Sequence, residues 1–187
     1  MNSFAAALLA GGRSSRMGFD KAFLLWEGRE LWRHQLEKLR ALGGPMLLSC
    51  REAQEFPPVS DLCFVHDLWP DCGPLGGIAS CLRAMEEPLL VVIGVDLPHL
   101  PAEMLRDLLA ASRPECGAVI KRGDLYEPLA AVYPTGVLPL AEEMLHAGDR
   151  KMQHFLRRSI ESGRMQALDA PPGSGDWFTN WNTPGLV

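Results

Sequence analysis

The sequence predicts an α/β protein with a mainly parallel sheet and helices on both faces, three layers (α/β/α) in all. Three observations carry this. Apolar segments of strand length alternate with segments of helical period along the first hundred residues. The segment "LLVVIGVD" (89–96) is continuous and Val/Ile-rich, the composition of a strand covered on both faces. The Pro/Gly-rich stretches at 55–61, 70–77 and 170–176 are only loop-length, so nothing divides the chain and one domain over 1–187 is expected.

In order, residues 4–10 read as a buried strand. "ELWRHQLEKLRALG" (30–43) spaces Trp32, Leu36, Leu39 and Leu42 near helical period and stops at Gly43-Gly44-Pro45. "MLLSC" (46–50) and "LCFVH" (62–66) are strand candidates, and "GGIASCLRAMEE" (76–87) reads as a helix ended by Pro88. After the strand at 89–96, "PAEMLRDLLAASR" (101–113) is a helix with proline at its first position, where a missing N–H is tolerated. "GAVIKR" and "EPLAAVY" follow, then two helical stretches around 135–162 and short strands near 164–168 and 177–180.

The balance of 47% hydrophobic and 22% charged residues over 187 positions is that of a globular domain, expected to bury roughly 70% of its unfolded surface. The apolar runs "FAAALLA" and "PLLVVIGV" fall far short of the ~20 residues a bilayer requires. The first of them lacks a basic leader and runs into Gly11-Gly12, so a cytoplasmic protein is expected rather than an exported one. Five cysteines without a CxxC, mostly within apolar segments, argue against a disulfide framework or a zinc site. Five scattered histidines read as surface or structural residues. With a net charge of −5 and no basic block, phosphate neutralisation along a nucleic acid has no support, whereas a small phosphorylated ligand needs only a few convergent cations.

Such cations occur in "LLAGGRSSRMGFDKAFL" (8–24), where a strand ends in Gly11-Gly12 and Arg13, Arg16 and Lys21 follow. Two readings are open: a backbone-built anion cradle, or a tight turn before a solvated basic helix. Like-charge repulsion between Arg16 and Lys21 weighs toward an anion between them. The loop is neither a dinucleotide fingerprint, since GxGxxG is broken, nor a Walker A loop, since Lys21 follows Gly18 by three residues and precedes Ala22. In parallel α/β sheets ligands sit beyond the carboxyl ends of the strands, which singles out residues 10–21, Asp67 and Asp96. Asp96 suits a hard cation held with waters and phosphates, or equally a cap for the helix near Pro101. Asp67 suits an Asx-turn before Trp69-Pro70. Asn180 and Asn182 suit a helix start before Thr183-Pro184, and Arg150-Lys151 a solvated one.

"LAGGRSSRMGFDKA", "PDCGPLGGI" (70–78), "GVDLPHLP" (94–101), "EPLAAVY" (127–133) and "FTNWNTP" (178–184) together resemble the signatures of the molybdenum cofactor guanylyltransferases, in the family's order over nearly the whole chain. The resemblance implies a Rossmann-like fold of the GT-A-like nucleotidyltransferase type, and transfer of GMP from GTP to a molybdopterin-type cofactor with release of pyrophosphate. It implies catalytic roles for Arg16, Lys21 and Asp96, with Mg²⁺ on Asp96. Nucleotide contacts are implied at Leu9, Ala10, Gly11, Gly12, Arg13, Ser14, Lys21, Ser49, Asp67 and Asp96. Ser49 stands where the family carries asparagine. Acceptor contacts are implied at Asn180 and Asn182, and a meeting with the pterin phosphate at Arg150-Lys151. Partners implied are GTP and the molybdopterin-type cofactor, with cofactor-insertion proteins and apo-molybdoenzymes as further candidates, and neither nucleic acid nor membrane. The alternatives are a cytidylyltransferase, whose relatives read LAAG where this chain has Leu9-Ala10-Gly11-Gly12, a sugar-phosphate nucleotidyltransferase, or a non-catalytic nucleotide-binding module.

Overall fold

The computed structural model describes residues 3–11 and 20–181. Strand β1 (Phe4–Leu9) lies third in a seven-stranded sheet, with β4 (Met46–Cys50) and β5 (Leu62–His66) to one side. On the other side come β6 (Leu89–Gly94), β8 (Leu125–Pro134), β7 (Gly117–Arg122) and β9 (Met165–Asp169). The run β5-β4-β1-β6 is wholly parallel, whereas β8 is antiparallel to both neighbours. A hairpin, β2 (Leu25–Trp26) with β3 (Arg29–Glu30), stands apart from the sheet. Glu27 and Gly28 both take positive φ in its turn, as a two-residue hairpin prefers.

The α/β/α expectation is met, because each central strand is apolar on both faces. In β1 and just beyond it, Ala6, Leu8 and Ala10 join the core under α1 (Leu31–Arg40) and α3 (Ala102–Ala111). Ala5, Ala7 and Leu9 join the opposite core under α2 (Pro74–Ala84), α4 (Leu138–His146) and α5 (Met152–Glu161). In β6, Leu89, Val91 and Ile93 divide from Leu90 and Val92 in the same way. Four cysteines, Cys50, Cys72, Cys81 and Cys116, are buried in the manner of small hydrophobes.

Several elements differ from the sequence expectation: the strand expected at 89–96 ends at Gly94, and the helix expected from Pro101 begins at Ala102, with Pro101 as its cap. The helix expected at 76–87 runs from Pro74 to Ala84: proline fills the first helical position, and Met85 is already extended. The strand expected near 177–180 is a 3₁₀ turn, Gly175–Phe178, whose Phe178 buries itself in the α1/α3 core instead of pairing. The hairpin of β2 and β3 was not expected, its strands being too short for a periodic signal. At Val119/Ile120 the β7–β8 register jumps from Ala131 to Glu127, a bulge around Pro128, which has no N–H for the ladder. Fully buried Tyr133 donates its hydroxyl to the Pro128 carbonyl at 2.8 Å.

Candidate active site

After β1 the chain moves to β4 and β5 on one side, then returns to β6 on the other, so the order reverses beside β1. The carboxyl ends of these four strands border a cleft of ≈ 300 Å³. Leu9 and Gly11 enter it from β1, Ser49 and Arg51 from β4, Asp67 from β5, and Val95 and Asp96 from β6. Lys21 also lines it, from the first position of a 3₁₀ turn whose start Asp20 caps by accepting from the Ala22 N–H at 3.1 Å. Gly73 and Pro74 bring the N-terminal, electropositive end of α2 to the same space.

Close approach here depends on glycine. A Cβ on Gly77 would lie 2.7 Å from Ser49 Oγ, so only glycine lets the first turn of α2 settle against β4. A Cβ on Gly94 would lie 2.7 Å from Asp96 Oδ1 and 2.8 Å from Leu129 Cδ1, and the bulge of β8 sets Leu129 over this point.

Asp96 brings a poorly solvated carboxylate to the cleft. Among the described residues its Oδ1 is buried without a hydrogen-bond partner. Burial pushes its carboxyl above the usual carboxylate range, and the charge of Lys21 acts in the opposite sense. A carboxylate left in this condition is satisfied by a cation. Partial burial also pushes the Asp67 carboxyl up, while its Oδ1 accepts from the Trp69 N–H at 3.0 Å, which is the expected Asx-turn. It lines the cleft as well, so the turn and a ligand contact are compatible.

Helix α1 braces both shoulders of the Asp96 turn. Fully buried Gln35 donates Nε2 to the Gly94 carbonyl at 2.8 Å, Lys38 donates Nζ to the Pro98 carbonyl at 2.5 Å, and His34 Nε2 lies 3.4 Å from that same oxygen. Burial lowers the Lys38 ammonium from 10.5 to about 8. In the folded chain it therefore sheds its proton near pH 8, and in the unfolded chain only near 10.5. Between these values the unfolded state holds the extra proton, so Lys38 makes stability rise with pH. Relative to Lys38→Met, the parent is expected to gain melting temperature from pH 8 to 9. Parallel melts at fixed ionic strength check this, and equal slopes would contradict it. Burial also pushes the Cys50 and Cys81 thiols up, to about 11 and about 12, which affects both chains alike.

Of the residues expected from the sequence, Leu9, Gly11, Lys21, Ser49, Asp67 and Asp96 meet in this cleft. Ala10 does not present its side chain there: it is buried in the α1/α3 core, and its backbone bonds instead to the Ser49 carbonyl and the Gln54 amide. Gly12, Arg13, Ser14, Arg16 and Asn182 lie outside the described residues. Asn180 is exposed and does not line the cleft, although the next residue, Trp181, donates its N–H to the Asp96 carbonyl at 3.0 Å. Arg150 reaches the cleft rim, donating to the carbonyl of Asp71, a lining residue, at 2.9 Å. The sequence reading missed Arg51 and Gln54. Arg51 follows a parallel strand just as Asp67 and Asp96 do, so the strand-end rule could have found it. Gln54, in the loop after β4, carried no sequence signal.

The fold is that of the nucleotidyltransferases. The chain superposes with a TM-score of 0.76 on a nucleotidyl transferase from Methanothermobacter, over 97% of this chain and 93% of that one at 16% identity. The sequence narrows the class: residues 6–164 match the family model of the MobA-like NTP transferase domain, and the chain belongs to that family. Its relatives include a probable molybdenum cofactor guanylyltransferase of Opitutus terrae, 36% identical over 186 residues, 98% of this chain and 92% of the relative. A molybdenum cofactor guanylyltransferase of Xanthomonas euvesicatoria is 43% identical over 179 residues, 95% of this chain and 88% of the relative.

Proposed function

We propose that the protein transfers GMP from GTP to the phosphate of a molybdopterin-type cofactor. A phosphate oxygen of the acceptor bonds to the α-phosphorus of GTP, the bond from that phosphorus to the bridging oxygen breaks, and pyrophosphate leaves. The acceptor is itself the nucleophile, so the protein's work is alignment and charge stabilisation. The observation that carries the reading is the meeting, in one switch-point cleft, of Lys21 with a buried Asp96 carboxylate oxygen that has no hydrogen-bond partner among the described residues, in a chain whose relatives are named for this activity.

Asp96 would hold Mg²⁺, a fit supported by its orphaned oxygen and by the habit of this ion of taking one or two carboxylates plus phosphate oxygens. The bound ion supplies positive charge opposite the triphosphate. Lys21 would offset charge developing at the α-phosphate, the amides from Gly11 onward together with Arg16 would receive the outer phosphates, and Ser49 and Asp67 would face the nucleoside. Asn180 and Asn182 would serve the acceptor, a placement supported by the anchoring of Trp181 on Asp96. Incubation with Mg²⁺, labelled GTP and molybdopterin is expected to yield the guanine dinucleotide and pyrophosphate. Selective thermal stabilisation by CTP over GTP would overturn the guanylyl assignment, and nucleotide binding without pyrophosphate release would overturn catalysis.

A further inference from the structure

We infer that Gln54 is a positioning residue that ties the two ends of the glycine-rich loop together and thereby sets Lys21 in the cleft. The loop leaves β1 at Ala10 and ends at Asp20, immediately before Lys21. A single amide spans the gap: Gln54 Nε2 donates to the Ala10 carbonyl at 3.0 Å and to Asp20 Oδ2 at 2.5 Å. Its Oε1 accepts from the Arg51 N–H at 2.7 Å. Both amide protons and the amide oxygen are thus engaged, in a side chain only 8% exposed.

Asp20 completes the tie. Its Oδ2 also accepts from Arg51 Nη2 at 3.0 Å, and its Oδ1 from the Ala22 N–H at 3.1 Å. The carboxylate is therefore held from three directions at the point where the chain turns toward Lys21. A glutamine serving only its own loop would need the Arg51 contact alone. The two donations reach 44 and 34 residues away in sequence, to the entry and the exit of one loop. Their consequence is a fixed separation of Ala10 from Asp20, and with it a fixed origin for the Lys21 side chain.

The catalytic arm of the test rests on the guanylyl-transfer reading above; the other arm does not. In the ligand-free full chain, Gln54→Ala is expected to speed amide hydrogen exchange at Ala22 by about tenfold, as loss of a charged acceptor's anchoring would. Unchanged exchange at Ala22 overturns the inference, whatever happens at neighbouring Arg51. In steady-state assays, Gln54→Ala and Gln54→Glu, which keeps the shape and the acceptor but loses the donors, are expected to lower kcat by about 10- to 100-fold with little change in the KM for GTP. Exposed Glu52→Gln serves as the control. Parental kcat in both Gln54 variants overturns the positioning role. A parent chain without nucleotidyl transfer overturns the proposed function instead, while exchange at Ala22 still decides the tie.

Discussion

Asp96→Asn is expected to lower the proposed guanylyl transfer by on the order of 10³-fold while raising the melting temperature of the ligand-free chain. The two effects have one cause. The carboxylate is buried with an oxygen that has no partner among the described residues, so its charge is a liability until a cation arrives. Loss of that charge would remove the several kcal/mol of transition-state stabilisation that a metal held there would supply, which is the expected rate loss. The stability effect has a definite pH sense. Because burial holds the folded carboxyl above its ordinary value, the unfolded chain loses this proton first. Stability therefore falls as pH rises from the ordinary carboxylate range through the raised value. Asparagine abolishes that fall. Melts of parent and variant at neutral and acid pH, with and without Mg²⁺, check it. A variant that keeps the parent rate, or that melts lower than the parent at neutral pH without metal, contradicts the assignment.

Lys21→Ala is expected to lower kcat by about 10²–10³-fold, the usual loss when one fixed group facing developing charge is removed. Its second signature is electrostatic. Lys21 is the charge that pulls the Asp96 carboxyl down against burial, so its removal moves Asp96 further up. The acid limb of any metal-dependent binding or activity should then shift to higher pH in the variant. Isothermal titration with Mg²⁺ and nucleotide over a pH series reads this apart from the rate. An unshifted acid limb together with parental kcat would remove Lys21 from the mechanism. Arginine is not expected to restore the parent rate in full, because a planar fork cannot take the place of a point charge.

Much of the architecture is legible in composition and period, because each of those features is local. A strand buried on both faces must be apolar throughout, and β6 shows it; a helix must repeat its apolar residues, and Trp32, Leu36 and Leu39 do so. The strand-end rule also points to Asp67 and Asp96 before any coordinates are considered. The misjudged elements are those whose signals are short or are decided elsewhere. Two-residue strands such as β2 and β3 have no period to detect. The stretch around Phe178 has strand-like composition, but burial of that one ring against the α1/α3 core draws it into a 3₁₀ turn.

The sequence by itself determined the α/β class, the strand that leads to Asp96 and the chemical types available for a phosphate site, since these follow from backbone sterics and local hydrophobic pattern. Tertiary structure alone decided which of those groups meet. The reversal of strand order beside β1 brings four strand ends into one cleft. Burial then raises the cost of charging Asp96, which no spacing reveals. The reach of Gln54 from the β4–β5 loop to Ala10 and Asp20 is likewise invisible in the chain, because hydrogen bonds between residues 44 and 34 positions apart leave no periodicity. Local patterns specify elements, but charge and alignment at a site depend on distances that exist only once the chain has closed on itself.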